Sequence, residues 1–190
     1  MITKNIMIVG VGGQGTLLAS RIIGNAVIRM GYDVKVSEVH GMSQRGGSVV
    51  TYIKYGDKVY SPIIDNGEAD IVLAFELLEA YRALPALKKG GRLIVNDQRI
   101  NPMPVITGAA QYPENISEKL SSKVDTTAVD ALALATEAGS FKTVNVVLIG
   151  IMAKSTNIPY EVWIDTIRDT VPQKFLDINI KAFELGYNAG

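Results

Sequence analysis

The chain has 190 residues, with 19 Lys and Arg balanced by 19 Asp and Glu, and 47% of its residues are hydrophobic. This is the composition of an ordinary globular protein, and zero formal net charge argues against general binding to nucleic acid or anionic membranes. Cysteine is absent and His40 is the single histidine, which excludes disulfides, thiolate-ligated iron–sulfur clusters, a thiol nucleophile and a multi-histidine metal site.

The first predicted element is a buried strand, "NIMIVG", apolar and ended by Gly10. A Gly-rich turn follows, and then "GTLLASRIIGNAVIRMGY" takes helical spacing, with Leu18, Ile22 and Ala26 on one stripe and Gly31 as its stop. "DVKVSEV" is a second strand, so the opening reads as a βαβ unit. After the loop "HGMSQRGG", the runs "SVVTYIKY" and "KVYSPI" flank Gly56-Asp57 and read as a β-hairpin over 48–64. "ADIVLAFE" is another buried strand. "LLEAYRALPALKKGG" reads as a helix interrupted at Pro85 and ending at Gly90-Gly91, with Lys88-Lys89 as a cationic pair at its C-terminus. "RLIVND" is a further strand, ending at Asp97, which reads first as a cap and second as a cleft residue.

Residues 98–124 are mixed and carry Pro102, Pro104 and Pro113. "VDTTAVDALALATEAGS" reads as a short strand entering a helix, and three helices close the chain. Leu176, Ile180, Phe183 and Tyr187 form the stripe of the last one, and Trp163 reads as core or interface. The expected architecture is α/β: a doubly wound, mostly parallel, Rossmann-like sheet with an inserted antiparallel β-hairpin and a helical C-terminus, in one domain spanning 1–190. No apolar run approaches the roughly 20 residues of a membrane span, and the short apolar start carries no signal-peptide cleavage pattern. A cytoplasmic location is therefore expected.

Two loops carry the chemistry. Gly10-x-Gly12-x-x-Gly15 satisfies the dinucleotide spacing between a strand and a helix, where free N–H groups and the helix dipole attract phosphate. Thr16 adds a hydroxyl, and Glu38 stands near the place of the acidic residue that binds ribose in such sites. The bland alternative is that the glycines only permit tight packing. The second loop, "SEVHGMSQRGG" (37–47), crowds Glu38, His40, Gln44 and Arg45 around a Gly-rich turn. Alone, His40 is a structural histidine and Arg45 a solvated charge; beside a phosphate loop, Arg45 pairs with phosphate or carboxylate. Both loops, and 96–99, are expected at the carboxyl edge of the sheet.

"GVGGQG", "SEVHGMSQRGG", the hairpin and the closing "NIKAFELGY" together resemble the gamma-type subunit or domain of 2-oxoacid:ferredoxin oxidoreductases, over essentially the whole chain. Pyruvate and 2-oxoglutarate branches tend to carry Pro-Glu-Met-Arg-Gly-Gly in the second loop. The run from Val39 to Gly47 is instead similar to the small beta subunit of the indolepyruvate branch.

The resemblance implies a subunit that is inactive alone. Its complex decarboxylates an aryl 2-oxoacid on thiamine diphosphate, sends electrons through iron–sulfur clusters to ferredoxin and passes the acyl group to coenzyme A. Thiamine diphosphate and the clusters are implied on a large alpha subunit, with a homodimer possible for the isolated chain. Gly12, Gly13, Gln14, Gly15 and Thr16 match the family's phosphate-side loop, and His40, Gln44 and Arg45 its second loop. Gly12, Gly13, Gln14, Gly15, Thr16, Glu38, Gln44 and Arg45 make the candidate coenzyme A site, with His40 and Arg45 as candidate active-site contributors and no metal ligand. A gamma subunit of a pyruvate, 2-oxoglutarate or branched-chain enzyme, a freestanding NAD or flavin dehydrogenase, and a purely structural assembly subunit stay open as alternatives.

Overall fold

In the computed structural model, residues 3–40 and 46–190 are described, the side chain of His40 excepted. Strand β1 (Thr3–Val11) lies inside the sheet with both faces covered: Ile6 and Ile8 pack on one side, Met7 and Val9 on the other. That is why its sequence is a continuous apolar run rather than an alternating one. Helix α1 (Thr16–Arg29) returns across the sheet and buries Ile22, Ile23, Ala26 and Val27 completely, with Leu18 half-buried at its edge.

The sheet has six strands in the order β2-β3-β1-β4-β5-β6. β1, β4 (Ala69–Ala74), β5 (Leu87–Asn96) and β6 (Asp125–Val129) run parallel. β3 (Ser48–Gly56) runs antiparallel to both its neighbours, β1 and β2 (Asp33–His40). The first βαβ unit is therefore split, with β3 inserted between its two strands. This is the expected mixed, mostly parallel architecture, but the antiparallel pairing differs from the predicted hairpin. Residues 57–64 form no strand. β3 has ladders on both edges, so a returning strand has no partner left. The chain instead folds across the sheet end, where the Val59 N–H donates to Asp33 Oδ2 at 3.0 Å and Val59 and Ile64 are buried.

The predicted helix after β4 is also shorter. α2 (Leu77–Ala83) gives way at Pro85 to a 3-10 turn, Leu84–Ala86, and β5 begins at Leu87. Lys88-Lys89 therefore belongs to a strand bulge, where the register steps from Ala69 to Ile71 on β4 while it advances from Leu87 to Arg92 on β5. Lys88 Nζ donates to Asp70 Oδ1 at 2.6 Å instead of meeting a helix dipole. Gly91 is required there, because a Cβ would lie 2.9 Å from the Ala69 carbonyl oxygen.

Two short helices, α3 (Met103–Ile106) and α4 (Ile116–Ser121), occupy the mixed segment, and α5 (Ala131–Ala138) follows β6. α6 (Val144–Ala153), α7 (Tyr160–Thr170) and α8 (Leu176–Ala189) close the chain as predicted. Every residue from Asn145 to Ala153 is buried, the pattern of a helix wrapped by protein on all sides. Trp163 and Phe183 fill the core beside it. Among the described residues no helix is long and apolar enough to cross a membrane.

Candidate functional site

The carboxyl ends of β1, β4 and β5 are knitted together by carboxamide side chains. Gln14 Oε1 accepts from the Val11 N–H at 2.7 Å, and Gln14 Nε2 donates to the Phe75 carbonyl at 3.0 Å. Asn96 Nδ2 donates to that same carbonyl at 3.2 Å, while Asn96 Oδ1 accepts from the Ala131 N–H at 3.1 Å. From the helical layer, Asn145 Nδ2 donates to the Gly15 carbonyl at 3.2 Å. Gln14 is thus a fastener, turned inward.

The glycines of this loop separate into two kinds. A Cβ on Gly10 would lie 2.8 Å from Gln14 Oε1 and 3.0 Å from Phe75 Cβ; one on Gly15 would lie 2.8 Å from Asn145 Nδ2. These two make room for protein. Gly13 has φ 101° and no described residue within 4 Å of where a Cβ would stand, so it serves a backbone turn rather than a packing contact among the described residues.

The amides sort in the same way. The Gly12 N–H donates to the Gly47 carbonyl at 2.9 Å, the Gly46 N–H to the Gly12 carbonyl at 3.4 Å, and the Gln14 N–H to Val11 at 3.2 Å. The two loops are therefore stitched to each other at their bases. The Gly13, Gly15, Thr16, Leu17 and Leu18 N–H groups have no acceptor among the described residues. Gly15 caps α1 without a side-chain bond, and the first turn holds no acid. Open amides with an uncompensated helix dipole behind them form a seat for an anion. Thr16 contributes its amide there; its side chain is buried.

Glu38 is placed differently from the acid of a dinucleotide site. β3 stands between β2 and β1, so Glu38 lies two ladders from β1, roughly 9–10 Å sideways. Its carboxylate accepts from Thr51 Oγ1 at 3.2 Å. His40 ends β2, and its side chain, with Gln44 and Arg45, lies outside the described residues. Asp97 is exposed at the end of β5 and caps no helix among the described residues; its N–H donates to the Val129 carbonyl at 2.7 Å.

A buried acidic pair borders the same edge and has no counterpart in the sequence reading. Glu76 is 1% exposed, caps α2 through the Glu79 N–H and accepts from the Tyr112 hydroxyl at 3.1 Å. Burial pushes its carboxyl above the ordinary range, partly opposed by the amides of Glu79, Leu78 and Ile100 and by Tyr112. The Tyr112 hydroxyl is pushed up in turn by burial and by the Glu76 charge. The Arg99 guanidinium lies 4.3 Å from the centre of the Tyr112 ring. Glu79 accepts from Ser48 Oγ at 2.5 Å and from Arg82 at 2.6 Å, which ties the start of β3 to α2. The only local signal was Glu76-Leu-Leu-Glu79 at a strand end, and Glu is not among the preferred caps.

Residues 5–189 match the family of pyruvate ferredoxin/flavodoxin oxidoreductases. The chain is 45% identical to the indolepyruvate oxidoreductase subunit IorB of Thermococcus kodakarensis, covering 97% of this chain and 95% of that one. It is 41% identical to the IorB subunit of Archaeoglobus fulgidus, over 97% and 94% of the two chains. Among solved structures, the gamma subunit of a keto/oxoacid ferredoxin oxidoreductase from Geobacter sulfurreducens superposes with a TM-score of 0.73 at 26% identity, covering 98% of this chain and 97% of that one. The fold also recurs, at 18% identity and a TM-score of 0.75, within a 2-oxoglutarate:ferredoxin oxidoreductase from Magnetococcus marinus; all of this chain is covered, and 31% of that longer one. A full-length family match and relatives above 40% identity, on a chain whose two Gly-rich loops meet at one sheet edge, make this protein a member of the pyruvate ferredoxin/flavodoxin oxidoreductase family and a subunit of a 2-oxoacid:ferredoxin oxidoreductase.

Proposed function

We propose that the carboxyl edge of this subunit holds the phosphate-bearing part of coenzyme A and completes an active site on a larger partner chain. The observation that carries this reading is the set of Gly13, Gly15, Thr16, Leu17 and Leu18 N–H groups without an acceptor among the described residues, beside a Gly13 whose Cβ position has no neighbour among them. The residues present suit the cofactor: bare backbone approaches phosphate oxygens, and no acid in the first turn competes. Gly12 and Gln14 shape the seat, and Gly13, Gly15 and Thr16 line it with N–H groups. Gln44 and Arg45 of the second loop are assigned to the same site by that loop's resemblance to the family's, with His40 as a candidate active-site contributor, and Glu38 stands on β2, two ladders from β1. Bound coenzyme A supplies the thiol that accepts the acyl group.

The 2-oxoacid is aryl, with indolepyruvate first, by similarity to the IorB subunits. Thiamine diphosphate and the iron–sulfur clusters reside on the large subunit, which passes electrons to ferredoxin; a chain without cysteine ligates no cluster by thiolate. Leu17 and Leu132 in the first turns of α1 and α5, and Phe141 just before α6, are exposed at this edge and suit docking against that subunit. The recurrence of the fold inside a longer chain supports the same arrangement.

The test is steady-state ferredoxin reduction by the reconstituted complex, across indolepyruvate, phenylpyruvate, pyruvate and 2-oxoglutarate. Gly13→Ala is expected to raise the KM for coenzyme A about tenfold with the KM for the 2-oxoacid unchanged, since a distorted amide seat costs on the order of 1.4 kcal/mol. An unchanged coenzyme A KM in a correctly assembled complex refutes the site and leaves an assembly role. A preference for pyruvate refutes the aryl assignment alone.

A further inference from the structure

The opposite, amino-terminal edge of the sheet carries a cleft of about 620 Å³, bounded by the starts of β1, β4, β5 and β6 and by the turn after α6. That volume falls in the range of small-molecule sites. Arg92, just past the β5 bulge, lines it. Its two terminal nitrogens donate to hydroxyls, one to Ser155 Oγ at 2.8 Å and the other to Thr127 Oγ1 at 3.0 Å. Its Nε–H is buried and has no acceptor among the described residues.

Arg29, Arg82 and Arg168 each meet a carboxylate, but Arg92 forms no ion pair among the described residues. A half-buried guanidinium held only by neutral hydroxyls carries a desolvation cost that a counter-charge relieves. The surrounding charges do not supply one. Asp70 is shared by Lys88 at 2.6 Å and Lys4 at 3.8 Å. Asp125, the cross-strand neighbour of Arg92 on β6, and Asp57 are both exposed, and neither forms an ion pair among the described residues. Lys4, Lys88 and Arg92 line the cleft together with Asp57, Asp70 and Asp125, and the one carboxylate of these that is engaged in ion pairs, Asp70, is taken by the two lysines, which leaves the Arg92 guanidinium without a counter-charge among the described residues.

We propose that this cleft is a second binding site, for a small oxyanion ligand (a carboxylate or a phosphate) held by Arg92 and assisted by Lys88. A guanidinium anchored through one hydrogen on each terminal nitrogen keeps further N–H groups for a charge-assisted pair. The site is independent of the Gly13 seat, which lies at the other end of the strands.

The test is a nitrogen-15 NMR titration of the full chain with inorganic phosphate and, separately, with succinate. The buried Arg92 Nε–H and the Gly90 and Gly91 amides are the reporters. Saturable shifts at these positions are expected with at least one anion, and the tighter of the two identifies the headgroup. Arg92→Gln is expected to weaken binding at least about tenfold and Lys88→Gln about threefold, while phosphate shifts at Gly13 and Gly15 persist. If Arg92→Gln does not fold, Arg92→Lys and Lys88→Gln carry the test. No saturable shift at the cleft up to about 20 mM of either anion, or unchanged affinity in the folded variants, overturns the proposal.

Discussion

Gly13, in the loop before α1, and Gly186, in the last turn of α8, are chemically alike only in having no side chain, and the structure uses that lack in opposite ways. At Gly186 a methyl group would overlap the Val147 carbonyl oxygen, and at Gly150 on the facing helix one would overlap the Phe183 carbonyl oxygen. The α6–α8 crossing is thus built on backbone meeting backbone, with Phe183 and Trp163 packed alongside. At Gly13 no described residue lies near the Cβ position, and φ is positive. One position needs the volume to be missing; the other needs the conformation to be allowed and the surface to stay bare.

The sharpest way to break this comparison is one methyl at each position. Gly186→Ala forces two fully packed helices apart, so a loss of about 3 kcal/mol or more is expected, read as a fall in Tm of roughly 6–12 °C. Gly13→Ala meets no atom and carries only the strain of a left-handed residue, about 1 kcal/mol. Thermal unfolding of the two variants side by side measures both, and equal losses would mean that the crossing relaxes or that the loop is more tightly held than its surroundings imply. Between them falls Gln14→Ala. It leaves the Val11 N–H without its acceptor and removes one of two donors to the Phe75 carbonyl, so about 1–3 kcal/mol is expected. Asn96 still serves that carbonyl, which places the loss toward the lower end.

The difference between these positions also explains what the sequence made legible. The parallel strands and α6 are readable because burial on all sides leaves long apolar runs, and the Gly-rich spacing marks the turn after β1. What a glycine is for is not readable, since the atoms that decide it come from distant chain: Asn145 reaches Gly15 across 130 residues. Gly56-Asp57 carries a hairpin signal, yet β3 spends both its edges on β1 and β2, and its pairing with β1 is a non-local one that no turn residue records. Lys88-Lys89-Gly90-Gly91 has the composition of a helix end but builds a bulge against the Ala69 carbonyl. Glu76 escapes notice because its meaning depends on Tyr112, 36 residues later.

Glu76 offers the finest contrast with Gln14, since both fasten this edge from inside but only one titrates. Burial raises the Glu76 carboxyl above its ordinary 4.5. Between 4.5 and that raised value the folded chain binds more protons at this site than the unfolded chain does. The contribution of Glu76 to stability therefore falls as pH rises through this window and is level above it. Glu76→Gln removes the fall while its side-chain oxygen still accepts from the Glu79 N–H and its amide faces the Tyr112 oxygen. The variant is expected to lie within about 1 kcal/mol of the parent at neutral pH and to differ chiefly in slope, with a flatter dependence of unfolding free energy on pH from just above 4.5 upward. Urea unfolding at closely spaced pH values reads that slope. Parallel curves for the two proteins would place the strain of this edge elsewhere than on the buried carboxylate, and Gln14→Ala, which changes no titrating group, supplies the parallel reference against which the slope is judged.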